Sequence, residues 1–405
     1  MDDATQIAKP RGEIMTDKAL PSTNWSYPTA IRFGVGRIAE LPRICRELGI
    51  SRPLLVTDPG LAGLPMVRGA IASNAAAGLP TGQFHEIQPN PVGKNVEDGV
   101  EVMREGGHDG VIAWGGGSGM DAAKAIALMA GQKRSLWDFE DRADWWTRAN
   151  ADAIAPIVAV PTTAGTGSEV GRASVITDES DHTKKIIFHP KMLPSVVISD
   201  PELTVGLPAN ITAWTGMDAL AHNLEAYSAP SFHPMADGIA LEGMRLVKEF
   251  LPRAVADGRD IEARGNMLVA ASMGATAFQK GLGAIHSLSH PIGALFHTHH
   301  GRTNAVVMPY VMAFNRDAVA ERYAALARYL GLPQPSFDAV LTWVLELRDE
   351  LSIDHTLRDL GVDDSQTDEL IRQAANDPTA GTNPVPLNQN NLARVFRNAM
   401  DGALG

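Results

Sequence analysis

The sequence predicts an α/β domain built on a parallel sheet, followed by an all-helical domain. Two observations support this prediction. Between residues 27 and 205 short β-branched runs alternate with helical stretches, and between residues 206 and 405 the strand signals vanish. Strands that alternate with helices are typical of a parallel sheet covered on both faces. Residues 1–26 carry charges throughout and are predicted to be an N-terminal extension.

The first domain is predicted from alternating strand and helix signals. PLLVTD (53–58) is predicted to be a strand, and the Pro-Gly turn after it leads into an Ala-rich helix that ends near residue 78. The next predicted elements are a strand over 83–87, a helix over 95–105, a strand that runs into a glycine turn within 110–118 and a helix over 120–130. The run IVAVPTTAGTGSE repeats the pattern of a buried strand that ends in small residues.

The second domain is predicted from helical spacing. Four segments after residue 208 place apolar residues at helical intervals, with polar residues on the opposite face. These segments are TAWTGMDALAHNLEAYSA, ADGIALEGMRLVKEFLPRAV, IEARGNMLVAASMGATAF and FDAVLTWVLELRDEL. A cleft between two such domains is the usual place for a ligand.

Composition excludes several classes of partner. The 405 residues carry 35 Lys and Arg against 47 Asp and Glu, for a net charge of −12. Such a surface repels polyanions, so nucleic acid and membranes are not expected partners, and no apolar run reaches the roughly 18 residues that span a bilayer. Cys45 is the single cysteine, which excludes a disulfide framework and any multi-cysteine zinc site. The expected location is therefore the reducing cytoplasm.

A glycine-rich turn follows one of the predicted buried strands. Gly115-Gly116-Gly117-Ser118 precedes a helix, where backbone amides can approach a pyrophosphate and the helix N-terminus attracts negative charge. A second turn of small residues, 162–168, ends the next buried strand. Because the carboxyl ends of parallel strands meet in one crevice, the two turns predict a dinucleotide site. The alternative for the glycines alone is a tight turn without a ligand.

Asp58 ends the first of these predicted strands. A carboxylate at this position can accept hydrogen bonds from an adenosine ribose and would repel a 2′-phosphate, which favours NAD over NADP. The alternative is that Asp58 caps the helix that follows. The spacing does not separate these two interpretations.

Acidic and histidine side chains in the second domain form two pairs with helical spacing. Asp218 and His222 are four residues apart, so both point from one face of their helix. His286 and His290 repeat this spacing, and His300 follows in THHGRTNA. Oxygen and imidazole ligands without thiolate suit a divalent first-row metal such as Fe2+ or Zn2+.

The charge of such a site indicates its chemistry. One carboxylate and three neutral imidazoles leave a divalent ion with a net charge of +1, which favours the loss of a proton from a bound alcohol. With NAD in the adjoining crevice, the implied reaction is hydride transfer between an alcohol carbon and the nicotinamide. His290, surplus to a set of four ligands, is predicted to relay the proton. His297 and His299 remain alternatives to His300, because the sequence chemistry does not separate the three.

Four segments resemble the motifs of the iron-containing (group III) alcohol dehydrogenase family: GGGSGMDAAK, PTTAGTGSEV, TGMDALAHNLEAY and HSLSHPIGALFHTHHGRTNAVVMP. The resemblance covers about residues 27 to 400. It implies an NAD-binding α/β domain over 27–205 and a helical metal-binding domain over 206–405. It also implies a homodimer or larger homo-oligomer, because members of the family often assemble in this way.

The resemblance implies an NAD-dependent, Fe2+-containing alcohol dehydrogenase or aldehyde reductase. Its expected substrates are small primary alcohols, ω-hydroxy acids or diols. One alternative is a zinc-dependent polyol oxidoreductase similar to glycerol dehydrogenase, and another is a non-catalytic member of the fold.

The resemblance also implies roles for single residues. The implied metal ligands are Asp218, His222, His286 and His300. His300 is chosen because the family ligand precedes the glycine of an HG-x-x-NA motif, and His290 matches the family histidine on the proton path. The implied cofactor-binding positions are Asp58, Asn90, Gly116, Gly117, Ser118, Asp121, Thr162, Thr163, Thr166 and Lys184, with Lys185 as an alternative to Lys184.

Two further features have open interpretations. The segment 136–153 carries Trp137, Phe139 and a Trp-Trp pair, which either form a wall of the substrate cleft or, as we favour, pack on their own domain. Arg302 either meets a substrate carboxylate or, as is more usual, caps a helix or pairs with an acidic side chain.

Overall fold

The computed structural model describes Tyr27, residues 29–181 and residues 183–404. The predicted extension over 1–26 lies outside these described residues. The strands are β1 (Ala30–Phe33), β2 (Pro53–Val56), β3 (Gly82–Phe84), β4 (Gly110–Gly115), β5 (Ile157–Pro161), β6 (Ala173–Asp178), β7 (Thr183–Phe188) and β8 (Val196–Ser199).

The helices of the first half are α1 (Leu41–Glu47), α2 (Pro59–Ala62), α3 (Pro65–Ala76), α4 (Gly93–Glu105) and α5 (Gly117–Met129). Those of the second half are α6 (Ala209–Ser228), α7 (Pro234–Ala256), α8 (Ile261–Ala277), α9 (Ala284–Phe296), α10 (His300–Tyr329), α11 (Phe337–Glu350), α12 (Thr367–Asn376) and α13 (Gln389–Asp401). Among the helices of the described ranges, none combines the length and the apolar character needed to cross a bilayer.

Six strands form one sheet in the order β1-β8-β5-β4-β2-β3, and every pair in it is parallel. Alternate residues of the central strands enter two different apolar clusters. Leu54 and Val111 pack with α4 and α5, whereas Leu55 and Ile112 pack with α1 and α3 on the other face. This arrangement confirms the predicted parallel sheet with helices on both faces.

The second half confirms the predicted helical class. Between Ser199 and the last described residue the chain contains helices and turns but no strand. Apolar residues of α6 to α13 share one large buried cluster, which includes Met217, Leu288 and Val307.

Several element boundaries differ from the predictions. The Ala-rich helix is divided into α2 and α3, because Pro65 starts a new helix at its first position. The predicted strand over 83–87 ends early, at Phe84. The antiparallel hairpin of β6 and β7 was not predicted. It stands outside the main sheet and packs against α5 and α9.

Candidate active site

Helix α6 carries Asp218 and His222 on one face. Both side chains are buried, and the Asp218 Oδ1 to His222 Nε2 distance is 4.0 Å. The helix is buried along most of its length, so these polar groups are held inside the helical half. A buried carboxylate beside a buried imidazole requires a compensating partner.

Helices α9 and α10 bring two more histidines to this pair. The rings of His222 and His286 stack with their centroids 4.7 Å apart. The Nε2 atom of His300 lies 3.6 Å from Asp218 Oδ1. Potential ligand atoms of Asp218, His222 and His286 all lie within 4.8 Å of one another. One oxygen and three ring nitrogens at this spacing fit a divalent iron or zinc, whose bonds to such atoms are about 2.0–2.2 Å long.

Gly301 allows α6 and α10 to approach closely. A Cβ atom on Gly301 would lie 2.3 Å from the carbonyl oxygen of Trp214 and 3.1 Å from Cβ of Asp218. Any side chain at this position would push α10 away from α6. The glycine therefore sets the distance between Asp218 and His300.

The structure separates His300 from the two alternative histidines. His297 is exposed and ends α9 in a left-handed conformation, with φ of 56°. His299 caps α10, accepting a hydrogen bond from the backbone N–H of Arg302, and packs against Trp214. Only His300 of the three contacts Asp218 in the described part of the chain.

Burial keeps two of the four side chains in the protonation state that metal binding requires. It lowers the pKa of His222 to about 4 and brings the pKa of His300 well below its ordinary value. Both imidazoles are therefore neutral near pH 7, with a lone pair free for a cation. At His286 burial acts in the same direction, but the adjacent Glu225 outweighs it and raises the pKa.

Glu225 orients His286, a role that the sequence analysis missed. Its carboxylate lies 2.6 Å from His286 Nδ1 and also accepts a hydrogen bond from the backbone N–H of Ile285. In the neutral ring Nδ1 donates to Glu225, and Nε2 keeps its lone pair for a cation. A carboxylate behind a metal-binding histidine is a recurrent arrangement. The signal in the sequence was a glutamate three residues after His222 on the same buried helix.

His290 lies beside the cluster and is held by a second carboxylate. Its ring stacks on His300 with a centroid distance of 5.5 Å, and its Nδ1 is 2.8 Å from Asp377 Oδ2. The other oxygen of Asp377 accepts hydrogen bonds from the backbone and hydroxyl of Thr379. Asp377 was also missed, since it lies 87 residues further along the chain.

The two turns predicted to bind a cofactor pack against each other at the carboxyl ends of β4 and β5. A Cβ on Gly116 would lie 3.1 Å from Thr163 Oγ1, and one on Gly117 would lie 2.6 Å from Thr166 Cγ2. Both glycines start α5, where Ser118 follows them in the first turn and no described side chain caps the helix. Free N–H groups at a helix N-terminus next to small residues fit a pyrophosphate.

Two further predicted residues lie beside the first turn. Thr162 is buried, and its backbone N–H donates to the carbonyl of Gly115 at 3.0 Å. Asp58 caps α2, because its Oδ1 accepts from the N–H groups of Gly60 and Leu61. Only Oδ1 takes part in this cap, and Oδ2 lies on the side of Gly115, so both interpretations of Asp58 are compatible with the structure.

Asp121 supports the second turn. Its Oδ1 accepts from the hydroxyl of Ser168 at 2.5 Å, and its Oδ2 accepts from the backbone N–H of Val175 at 2.9 Å. Both oxygens are therefore engaged with the protein. Asn90 lies in the loop after β3 with a left-handed φ of 54°.

Lys184 and Lys185 point to opposite sides of β7. Lys185 pairs with Asp178 and Asp181 at the end of the hairpin. Lys184 lies against Gly293 of α9, and burial lowers its pKa to about 8. The alternation of side chains along a strand therefore directs Lys184, rather than Lys185, toward the junction of the two halves.

The two open features have structural partners of their own. In the segment 136–153, Phe139 is fully buried in the apolar cluster of the sheet domain and Trp146 packs edge-on against His189. This supports packing of the aromatic residues on their own domain. Arg302 forms an ion pair with Asp354 at 2.6 Å, which supports the interpretation that it pairs with an acidic side chain.

Comparisons with known proteins identify the family. The model of iron-containing alcohol dehydrogenase matches residues 28–201, and that of the Fe-containing alcohol dehydrogenase family, C-terminal, matches residues 212–400. The chain belongs to the iron-containing alcohol dehydrogenase family. The family predicted from the sequence is thereby confirmed.

Relatives of this iron-containing alcohol dehydrogenase match it over nearly its whole length. It is 42% identical to 4-hydroxybutyrate dehydrogenase of Cupriavidus necator, over 92% of this chain and 99% of that protein. It is 35% identical to NAD-dependent methanol dehydrogenase of Bacillus methanolicus, over 93% and 100% respectively. A crystal structure of 1,3-propanediol oxidoreductase superposes with a TM-score of 0.87 at 34% identity, covering 94% of this chain and 100% of that one.

By its family the chain is an iron-containing alcohol dehydrogenase, as predicted, and one of its relatives is named as NAD-dependent. The alternative of a zinc-dependent enzyme similar to glycerol dehydrogenase fits these relatives less well.

Proposed function

We propose that the four clustered side chains bind the iron, that His290 moves the proton and that the two small-residue turns bind NAD. The proposed ligands are Asp218, His222, His286 and His300. The observation that carries the proposal is that three separate helices direct these four side chains to one buried point. A buried carboxylate and neutral imidazoles at this spacing are costly for the fold unless they bind a cation.

The reaction depends on residues around this point. When bound, Fe2+ supplies Lewis acidity that favours loss of the alcohol proton, and NAD supplies the hydride acceptor. His290 accepts that proton at Nε2, while its Nδ1 keeps its own hydrogen and donates it in a hydrogen bond to Asp377. Burial opposes the charge on Asp377, but His290 and Thr379 outweigh it and hold the pKa of Asp377 below its ordinary value. Asp377 therefore remains a carboxylate that fixes the ring orientation of His290.

The proposed NAD site joins the first half to this centre. Gly116, Gly117 and Ser118 bind the pyrophosphate at the N-terminus of α5, with Thr162, Thr163 and Thr166 on the facing turn. Asp58 binds the adenosine ribose, Lys184 binds the cofactor near the junction, and Asn90 and Asp121 complete the site. Close packing of the glycines against the threonines supports this assignment.

The proposed substrates are small primary alcohols, ω-hydroxy acids or diols. Support comes from the relatives, which are named for 4-hydroxybutyrate, methanol and 1,3-propanediol. The test is to measure kcat/KM with NAD for these three compounds and for glycerol, and to rank the four. Highest activity on glycerol would favour the polyol alternative.

The proposed assembly is a homo-oligomer formed through β1. This edge strand and the residues after it expose Ile31, Phe33 and Val35, of which Val35 is 56% exposed. Within the part of the chain that the structure describes, β1 pairs only with β8, and an apolar edge strand of this kind is suited to pairing with another copy. Phe33→Lys is expected to lower the mass measured by sedimentation, and an unchanged mass would contradict an interface at β1.

The proposed domains are 27–205 and 206–405, supported by the separate apolar clusters of the sheet and of the helices. A cytoplasmic location is also proposed. Its support is that the single cysteine, Cys45, is buried and forms no disulfide within the chain.

Substitution of His222 tests the metal centre. We expect the wild-type protein to bind one equivalent of Fe2+ under anaerobic conditions, and His222→Ala to bind none and to lose NAD-linked turnover. The matched control is His299→Ala, which removes a nearby histidine outside the cluster and should retain the metal. Elemental analysis and steady-state kinetics measure both effects. Metal retention together with turnover in His222→Ala would overturn the proposed ligand set.

A further inference from the structure

The side chain of Asn304 lies among the proposed ligand atoms. It is on α10, one turn after His300, and is fully buried. Its Nδ2 atom lies 2.7 Å from Asp218 Oδ1, 3.1 Å from His300 Nε2 and 3.4 Å from His286 Nε2. A single amide nitrogen therefore lies close to three of the four atoms that are proposed to bind the iron.

The neighbours of Asn304 are acceptors. Asp218 presents a carboxylate oxygen, and in the neutral His286 ring, whose Nδ1 donates to Glu225, Nε2 has a lone pair. The amide N–H groups carry partial positive charge toward both. A cation at this point would attract the same atoms more strongly, so the amide nitrogen is a weak substitute for it.

The amide oxygen of Asn304 indicates that the side chain is held in place through its nitrogen. Its Oδ1 is buried and has no hydrogen-bond partner among the described residues. Asn315, on the same helix, differs in this respect, because it exchanges hydrogen bonds with Asn383 through both its nitrogen and its oxygen. A buried amide oxygen without a partner is costly, so the N–H contacts to the cluster are the interactions that retain Asn304 in this position.

We propose that the Asn304 amide holds the ligand atoms together before the metal binds and is displaced from them when it binds. This inference rests on the proposed function of the cluster. A divalent ion bonded at about 2.0–2.2 Å to Asp218, His286 and His300 needs the lone pairs to which the amide now donates. The two occupants exclude each other. Asn304 is thus a positioning residue that keeps the site assembled at the expense of some metal affinity.

The proposal makes a distinctive thermodynamic prediction. Asn304→Ala removes both N–H donors from the ligand atoms around them, which destabilises the metal-depleted protein. In the loaded protein the metal satisfies the same atoms, so the loss is small. Because the two states are linked through the binding equilibrium, unequal destabilisation must appear as tighter metal binding in the variant.

The test uses the full chain, depleted of metal with a chelator and then titrated with Fe2+ under anaerobic conditions. Melting temperature is measured in both states, and the dissociation constant is measured by competition with a chromophoric chelator. We expect Asn304→Ala to melt about one to three degrees below the wild type when depleted and at the wild-type temperature when loaded, with a dissociation constant about three- to tenfold lower. Asn315→Ala, the control, should lower both melting temperatures equally and leave the dissociation constant unchanged.

Asn304→Asp provides a second variant of the same size. Its carboxylate faces Asp218 with like charge, so the metal-depleted protein should be destabilised and metal binding should tighten by more than in Asn304→Ala. Equal losses of melting temperature in the two states, or weaker metal binding in Asn304→Ala, would overturn the inference. A wild-type chain that binds no metal would refute the proposed function itself, and the inference with it.

Discussion

Replacing Lys184 by methionine tests the electrostatics at the junction of the two halves. Burial lowers the pKa of Lys184 from 10.5 to about 8, although Asp121, Asp377 and Asp218 attract its charge. One pKa unit corresponds to about 1.4 kcal/mol, so keeping this amine protonated at pH 7 costs the folded chain up to about 3 kcal/mol. Methionine has a similar length without the charge. We expect Lys184→Met to stabilise the metal-depleted protein by about 1–3 kcal/mol at pH 7.

The sign of the pH dependence follows from proton counting. Between pH 8 and 10.5 the unfolded wild-type chain binds more protons at Lys184 than the folded chain, so the wild type gains stability as the pH rises. The gain in the free energy of unfolding from Lys184→Met should therefore be largest below pH 8 and decrease as the pH rises toward 10.5. Thermal unfolding at pH 7.0 and 9.5 measures the difference. The same variant should raise the KM for NAD about 10- to 100-fold, because a charge-assisted hydrogen bond is lost.

Lys185→Met is the matched control on the same strand. Lys185 pairs with Asp178 and Asp181 away from the junction, so its loss should slightly destabilise the protein and leave the KM for NAD unchanged. The reasoning is refuted if Lys184→Met is less stable than the wild type at pH 7. It is also refuted if the gain is the same at pH 7.0 and 9.5.

Three further substitutions test other parts of the site. Asp377→Asn should lower kcat about 10- to 100-fold with unchanged iron content, since the carboxylate that holds His290 is lost; loss of iron in elemental analysis would contradict this role. Asp58→Gly should narrow the kcat/KM preference for NAD over NADP at least tenfold, and an unchanged ratio would leave Asp58 as a helix cap only. Gly117→Ala places a methyl group 2.6 Å from a threonine carbon and should raise the KM for NAD at least tenfold. Gly69→Ala, whose methyl group meets nothing within 4 Å, should not change it.

Features that depend on local spacing could be predicted from the sequence. The alternation of strands and helices predicted the parallel sheet, because each buried strand has its own apolar run. The four-residue spacing of Asp218 and His222 predicted that both side chains share a face of α6. Such patterns are contained within one element and need no knowledge of its neighbours.

Features that depend on tertiary contacts could not be predicted in this way. Glu225 and Asp377 act on histidines 61 and 87 residues away, and Asn304 reaches Asp218 across 86 residues. Local spacing did not separate His300 from His299; the family resemblance implied His300, and the fold gives the reason, because the start of α10 decides which ring caps the helix and which faces α6. In the sequence, Glu225, Asp377 and Asn304 are not distinguishable from ordinary polar residues on helices and turns.

The close contact between Gly301 and the carbonyl of Trp214 has a consequence for metal preference. The separation of α6 and α10 is set where two main chains touch, so only the ligand side chains can adjust to an ion while the helices stay in place. A bulkier ion such as Cd2+ or Ca2+, whose bonds are longer, needs a wider set of ligand atoms. We therefore expect the contact at Gly301 to favour ions with short bonds, and Gly301→Ala to weaken that preference.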